Sequence, residues 1–457
     1  AGDTLLLQSQ IFEDGTQFLE NLNGTPSASI VLLAENEHQT IYRGGTESIH
    51  LINCSYIEIN GLVIEQQTGN GMNIDDGGDY DTPSKHICIR NCIFHDMDAS
   101  GNNDLLKMSG VDSFLIENCK FTNGGAGGSG SDFVGCHWGT IQDCYFDNPG
   151  SSGIQNKGGT QHIRIQRNIF KNVSQRALNL GGSTGLQFFR PPLGNPIVNA
   201  FEAADLEVFS NVFIGSWAPI AYVGAVRVKV YNNTFYQPQN WVIRILQETN
   251  TTGFLPCADN EFSNNIVYLQ NDLTEVNIGP NTDPGSFTFS NNLWFNESSN
   301  NWTPNLPVPD IDQVIDDPLF EDANAEDFHI LENSSAIGAG FELGVPGTDF
   351  DQNPFLTPPS IGAFEGGERV TRVIESTLTK ENFLYPNPTT AQVTIEGDFE
   401  GGQLQLYNAV GTELRQYKSL SSPLTISLTA LPSGWYFVAI SKTDNNTTWV
   451  SKIYKQD

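Results

Sequence analysis

One eight-residue pattern recurs along this chain and restricts its fold more than any other feature. It reads apolar-x-apolar-x-x-(Cys/Asn)-x-(aromatic or apolar). Copies are ICIRNCIF (87–94), FLIENCKF (114–121), IRIQRNIF (163–170), LEVFSNVF (206–213), VKVYNNTF (228–235), NEFSNNIV (260–267) and FTFSNNLW (287–294). TIQDCYF (140–146) and IEINGLVI (57–64) are weaker copies. The Cys/Asn position falls at Leu62, Cys92, Cys119, Cys144, Asn168, Asn211, Asn233, Asn265 and Asn292. Steps between them are 22 to 32 residues, except for 43 from Asn168 to Asn211, where a long insertion is expected.

Period-two alternation means strands, not helices. Short strands with polar turns, repeating at this interval, mean a parallel β-helix in which each repeat is one coil. One coil cannot bury its apolar face alone, so stacking supplies the core. Asn233, Asn265 and Asn292 should then stack at strand spacing and bond from coil to coil through their amides. Cys92, Cys119 and Cys144 should hold the same column as small buried thiols. A disulfide between stacked coils is the alternative.

With 457 residues the chain can bury a large core or form several domains. It carries 22 Lys+Arg against 53 Asp+Glu, a formal charge of −31. That argues against nucleic acid and anionic membranes, which need clustered basic residues. A local basic cleft would still suit an anionic polysaccharide. Seven cysteines with no CxxC pair argue against a disulfide scaffold or a zinc ribbon. No apolar run approaches the length of a membrane span. The start, AGDTLLLQ, fits a processed N-terminus.

Composition shifts after Glu365. GGERVTRVIESTLTKENF (366–383) reads as a linker, and LYPNPTTAQVTIEG (384–397), LQLYNAVGTEL (404–414), LTISLTALPSGWYFVAI (424–440) and WVSKIYKQD (449–457) read as alternating strands of a small β-sandwich. YPNP, YNAVG, LPSGWYFV and the late Lys-x-x-Lys resemble the C-terminal sorting domain of type IX secretion. That resemblance implies an origin in Bacteroidota, contact with the type IX machinery, release or anchoring at the outer-membrane surface, and no catalysis in this domain. A sandwich used for binding is the alternative. DDPLFEDANAEDFHILENSSAIGAG (316–340) and DFDQNPFLTPPSIGAFE (349–365) resemble the terminal coil of bacterial right-handed parallel β-helix proteins. The expected fold is therefore all-β: a right-handed parallel β-helix over 1–365, a linker over 366–383 and a sandwich over 384–457.

Function has to be sought in side chains on one face of the solenoid. Alternation predicts Lys107 and Ser109 outward in NNDLLKMSG (102–110), and Gly135 and His137 outward in DFVGCHWG (132–139). It predicts Gln155 and Lys157 outward in GIQNKGG (153–159), and Asn179 and Gly181 outward in RALNLGGSTG (176–185). Stacking gives two columns, Lys107–Gln155–Asn179 and Ser109–His137–Lys157–Gly181. Asp104 and Asp132 border them, and Arg176 enters from the turn. The insertion at 181–206 is expected to form a wall with Phe188, Phe189 and Arg190, since aromatic faces suit sugars. Trp217, Tyr222, Trp241, Arg244 and Gln247 would extend the surface.

Cleavage of a uronic-acid polymer by β-elimination removes the C5 proton beside a carboxylate. It needs a base and a cation that stabilises the developing charge. Lys157 fits as base, with Arg176, His137 or Lys107 neutralising charge. NKGGTQHIRIQRNIFKNVSQRALNLGG (156–182) is similar, through Lys157, NIFKN and ALNL, to β-helix polysaccharide lyases that cleave alginate and dermatan-type chains. That family places a catalytic arginine where this chain has Gly181, and Arg176 lies five residues away. Bland alternatives stand beside each role: Lys157 as a turn residue, Arg176 as a turn cap, His137 packing beside Trp138, and Arg244 pairing with Glu248. A hydrolase would instead need two carboxylates, for which Asp104, Asp132, Glu202, Asp205 and Glu248 are candidates. In NIDDGGDYD (73–81), Asp75, Asp76, Asp79 and Asp81 are either Ca²⁺ ligands or a solvated acidic turn. No organic cofactor is expected, and a monomer is. Three classes remain: a lyase for an anionic glycan, a glycoside hydrolase, and a surface protein that binds glycan without cleaving it.

Overall fold

A computed structural model describes residues 1–299, 301–342, 347–366, 383–385, 389–397, 399, 401–408, 413–441 and 448–456. The chain divides into two compact units, Ala1–Glu368 and Arg369–Asp457. Apart from its two end residues, the expected linker at 366–383 lies outside the described residues. So do 386–388 of YPNP and 409–411 of YNAVG.

The first unit winds through three parallel sheets of 15, 12 and 10 strands. Each copy of the repeat proves to be a corner between the first two sheets. In ICIRNCIF the strand Ser84–Arg90 ends at Asn91 (φ 51°), Cys92 turns inward, and Ile93–His95 begins the second sheet. Asn118, Asp143, Arg167, Ser210, Asn232, Asn264 and Asn291 repeat this left-handed residue at φ 50–56°. The alternation therefore belongs to two short strands bent at one residue.

Registered stacking builds the core. Ile89, Ile116, Ile141, Ile165, Val208, Val230, Phe262 and Phe289 align along the first sheet, and all are buried. Phe94, Phe121, Phe146, Phe170, Phe213 and Phe235 stack along the second, with centroids 4.7–5.0 Å apart. That interval matches the spacing of paired strands.

The asparagine ladder is longer than expected. Asn168, Asn211, Asn233 and Asn265 each donate a side-chain amide to the next asparagine Oδ1 at 3.0–3.1 Å, ending at Asn292. Asn292 passes the chain to Asp310 Oδ2 at 2.9 Å. Cys144 joins from above, its backbone N–H donating to Asn168 Oδ1 at 3.0 Å. Cys119 and Cys92 continue the column, and all seven cysteines are free thiols.

The segment expected as a terminal coil does something different. Phe320–Asp322 pairs antiparallel with Asp327–Ile330. The chain then runs back along the corner of the first and second sheets. Asn291, Asn264 and Asn232 donate their amides to the carbonyls of Ala339, Phe341 and Ser360 at 2.8–3.0 Å. The returning strap thus supplies acceptors for the amides of these corner side chains.

The second unit holds a three-stranded and a four-stranded antiparallel sheet. Val393, Ile395, Leu404, Leu406, Ile426, Val438, Ile440 and Ile453 form its buried core.

Candidate active site on the third sheet

The third sheet presents the candidate side chains, because period-two alternation sends every second residue outward. Its register runs Lys107↔Asp132↔Gln155↔Asn179↔Ala221↔Arg244↔Asn277 in one outward column. The next outward column runs Asp75↔Ser109↔Val134↔Lys157. His137 is not in it. The strand Ser129–Val134 stops at Gly135 (φ 59°), and His137 starts a strand of the first sheet opposite Asp112. Alternation read across that corner misplaces His137 and hides Asp132, which stands between Lys107 and Gln155.

Asp132 is the centre of the site. It is fully buried, and its Oδ2 contacts both Lys107 Nζ and, at 3.0 Å, Lys157 Nζ. Its Oδ1 has no hydrogen-bond partner among the described residues. Burial pushes this carboxyl up, but the two ammonium groups outweigh burial and hold it below the usual range. Burial likewise pushes Lys107 down, and Asp132 and Asp104 reverse it, so the ammonium is strengthened. Asp104 lies 3.7 Å from Lys107 Nζ and accepts from the Ser129 N–H at 2.8 Å. Burial, then the Asp132 charge, raises its carboxyl to about 7.

Lys107 and Lys157 line a cavity of about 780 Å³. Asn70, Asn73, Asp75, Asp76 and Ser109 line it too, and the insertion walls it with Thr184, Phe188 and Arg190. Two anchors fix that wall. Glu202, fully buried, accepts from the Gly158 and Thr184 N–H groups at 3.0 Å, from Thr184 Oγ1 at 2.7 Å and from Thr249 Oγ1. Arg190 makes a bidentate pair with Asp112 at 2.6 and 2.7 Å and donates to the Gly135 carbonyl at 3.0 Å. A Cβ at Gly135 would stand 2.6 Å from the Arg190 side chain, so glycine permits this approach. His137 lies 3.2 Å from Arg190 and 3.3 Å from Asp112, buried behind the wall. Burial pushes the Asp112 carboxyl up, and the bonds from Arg190 and His137 overturn this to leave it at about 2. Tyr80 closes the rim, its hydroxyl donating to the Gln187 carbonyl.

Several expected roles change. Glu202 is an anchor for the wall and Asp205 pairs with Arg227, so neither reaches the lysine pair. Glu248 pairs with Arg176 at 2.8 Å, and Arg176 also donates to Asn179 Oδ1 at 2.8 Å. Arg176 thus orients the strip beside the cavity and does not line it. Tyr222 is wholly buried and donates to the Glu261 carbonyl at 3.0 Å, because its register partner is the inward Leu180. Phe189 is buried against Phe254, whereas Phe188 is 58% exposed at the cavity mouth. Arg244 does not pair with Glu248. It lies over the Trp241 ring at 4.4 Å and reaches Asn277 Oδ1 at 3.3 Å, with Trp217 edge-on to Trp241. At Gly181 a Cβ would meet the Val223 carbonyl at 1.8 Å, so this backbone has no room for an arginine there.

The acidic loop divides. Asp75 and Asp76 line the cavity, yet each also accepts from the backbone two residues on, at Gly77 and Gly78 (2.8 Å). Asp75 Oδ2 lies 2.6 Å from His50 Nε2. Asp79 accepts from the Asp81 N–H at 3.1 Å. Among the described residues no three His, Cys, Asp or Glu side chains converge on one point.

Residues 34–235 match the family model for a right handed beta helix region, and residues 383–456 match that for a secretion system C-terminal sorting domain. No curated protein sequence matches the chain. Among solved structures, it is similar to pectate lyase Pel9A at 12% identity, with 80% of this chain and 88% of that chain covered and a TM-score of 0.49. It is similar to an alginate lyase from Paenibacillus sp. str. FPU-7 at 13% identity, covering 62% and 90%, with a TM-score of 0.38. It is also similar to the catalytic domain of a GH87 alpha-1,3-glucanase at 12% identity, covering 66% and 65%, with a TM-score of 0.36. The chain carries a right-handed parallel β-helix and a type IX secretion C-terminal sorting domain, which directs it to the extracellular space or the cell surface.

Proposed function

We propose that this protein is an extracellular carbohydrate-active enzyme that cleaves a uronate-containing polysaccharide by β-elimination. The observation that carries the reading is the pair of lysines held on one buried carboxylate at the floor of a walled cavity. Lys157 first passes its ammonium proton to water, and the free amine then takes the C5 proton. The electron pair left at C5 is drawn towards the uronate carboxylate, whose charge the Lys107 ammonium offsets. The C4=C5 double bond forms as the bond to the leaving oxygen breaks, and that oxygen takes a proton from water. Asp132 positions both amines, and Asp104 supports Lys107. Gln155, Asn179 and Arg244 continue the outward column, and with Trp217 and Trp241 they suit the flanking sugars. The sorting domain supports an origin in Bacteroidota.

A hydrolase is the second reading. It rests on Asp75 and Asp76, two carboxylates in the same cavity. Burial, and in smaller part Asp75, raises the Asp76 carboxyl, as a general acid needs. One product assay across alginate, pectin, glycosaminoglycan, ulvan and fucan separates the readings. Ultraviolet absorbance from unsaturated ends supports elimination. Reducing ends without that absorbance support hydrolysis, and retention of polymer without cleavage leaves a binding protein.

A further inference from the structure

Each coil of the solenoid turns corners on residues with positive φ. After the first sheet these are chiefly Asn or Asp, and after the second they include Asp14, Gln66, Asp96, Asn123, Asn148 and Asn172. Those choices follow the backbone, since short polar side chains tolerate this region and large aromatic ones rarely enter it. The corner between the third and first sheets departs from the rule with Tyr56 and Trp138, each followed one coil on by a histidine, His86 and His162. All four have φ 53–56°.

Packing does not account for them. Trp138 is 59% exposed, and His86 and His162 are exposed too. The rings instead stack on one another. Trp138 and His162 lie 5.7 Å apart at 15°, and Tyr56 and His86 lie 4.2 Å apart at 18°. Such stacks make flat apolar shelves facing solvent. A groove of about 330 Å³ opens beside the Trp138 shelf, lined by Thr140, His162, Arg164, Asp205 and Glu207. Its charges are matched: Arg164 pairs with Glu207 at 2.7 Å, and Asp205 with Arg227 at 2.8 Å.

We propose that this corner is a second glycan-binding platform, separate from the cavity, that takes the C–H face of neutral sugar rings on Trp138. An apolar shelf with a polar, charge-balanced rim matches a pyranose, which has an apolar face and a hydroxyl edge. A uronate or sulfated chain would gain nothing from matched ion pairs. The platform adjoins the cavity wall, since His137 contacts the Trp138 ring edge-on at 5.5 Å and lies 3.2 Å from Arg190. It would hold a polymer beside the cavity without cutting it.

Native gels containing laminarin, galactomannan or xyloglucan, with polygalacturonate as the charged control, provide the test on the full chain. At least one neutral gel should retard the wild type, and should retard Lys157→Met equally. Trp138→Ala should bind that glycan about tenfold more weakly or worse, and Trp138→Phe should retain most of the affinity. The exposure of Trp138 predicts an unchanged thermal midpoint for both variants, which separates lost binding from lost folding. The proposal is overturned if no neutral gel retards the wild type, or if Trp138→Ala is retarded as strongly as the wild type. Because Lys157→Met leaves the corner intact, failure of the cavity reading and failure of this one give different patterns.

Discussion

Replacing Asp132 by Asn tests the architecture of the site. The change keeps the size of the side chain and removes only its charge. Two ammonium groups, on side chains 20% and 10% exposed, then face each other across a neutral amide. Removing one partner of a buried ion pair costs about 3–5 kcal/mol, because the remaining charge is left uncompensated. Here one deletion strands two cations, but Asp104 offers relief. The Asp132 charge is the second cause of its raised pKa, after burial. Without that charge Asp104 ionises more readily and can serve Lys107, 3.7 Å away. The loss should therefore sit near the bottom of that range at pH 8 and rise at pH 5. Urea unfolding followed by far-ultraviolet circular dichroism measures it. Adding Lys107→Met to Asp132→Asn should recover part of the loss, since one stranded cation disappears. A loss below about 1 kcal/mol at pH 5, with no recovery in the double variant, would refute the shared-carboxylate reasoning.

Other outcomes follow from the same geometry. The folded pKa of Asp104, about 7, lies above its ordinary value of 3.8, so its contribution to stability is complete below pH 3.8 and lost as pH rises through 7. Asp104→Asn should flatten the stability profile between those two values; parallel profiles for the two proteins would count against the assignment. Asn233→Ala removes donations to Val208, Tyr231 and Asn265 and the acceptor used by Asn211. It should cost about 2–4 kcal/mol, read by denaturant unfolding. Arg244→Ala should raise KM for long polymers several-fold with kcat nearly unchanged, because Arg244 sits four register steps from Asp132. A fall in kcat alone would place its role elsewhere.

The solenoid is legible because every coil repeats one constraint. Ile89 and its register partners must face inward, and a residue such as Asn91 must turn the chain. Repetition makes that pattern visible without any knowledge of contacts. The second unit is legible from motif strings for a different reason, since YPNP and LPSGWYFV are short and local. The site is legible only in pieces. Lys107, Gln155 and Asn179 emerge from alternation because their strands are uninterrupted. His137 is misplaced because Gly135 ends a strand where the apolar pattern of Val134 and Cys136 runs on. Arg190 is expected in the wall, but its bond to Asp112 joins residues 78 apart, and no spacing rule reaches that far. The shared role of Asp132 is hidden likewise. A buried carboxylate reads as a border residue until its neighbours in the adjacent coils are known.

The central claim is that Lys157 is the base of an elimination reaction. The direct measurement is the initial rate of ultraviolet absorbance increase on the uronate polymer that the wild type cleaves, compared with Lys157→Ala. Asp132 keeps Lys107 as a partner in that variant, so the fold should hold, and matching circular dichroism spectra would show it. The expected result is a loss of at least about 100-fold in kcat. Full activity in a folded Lys157→Ala protein would contradict the claim.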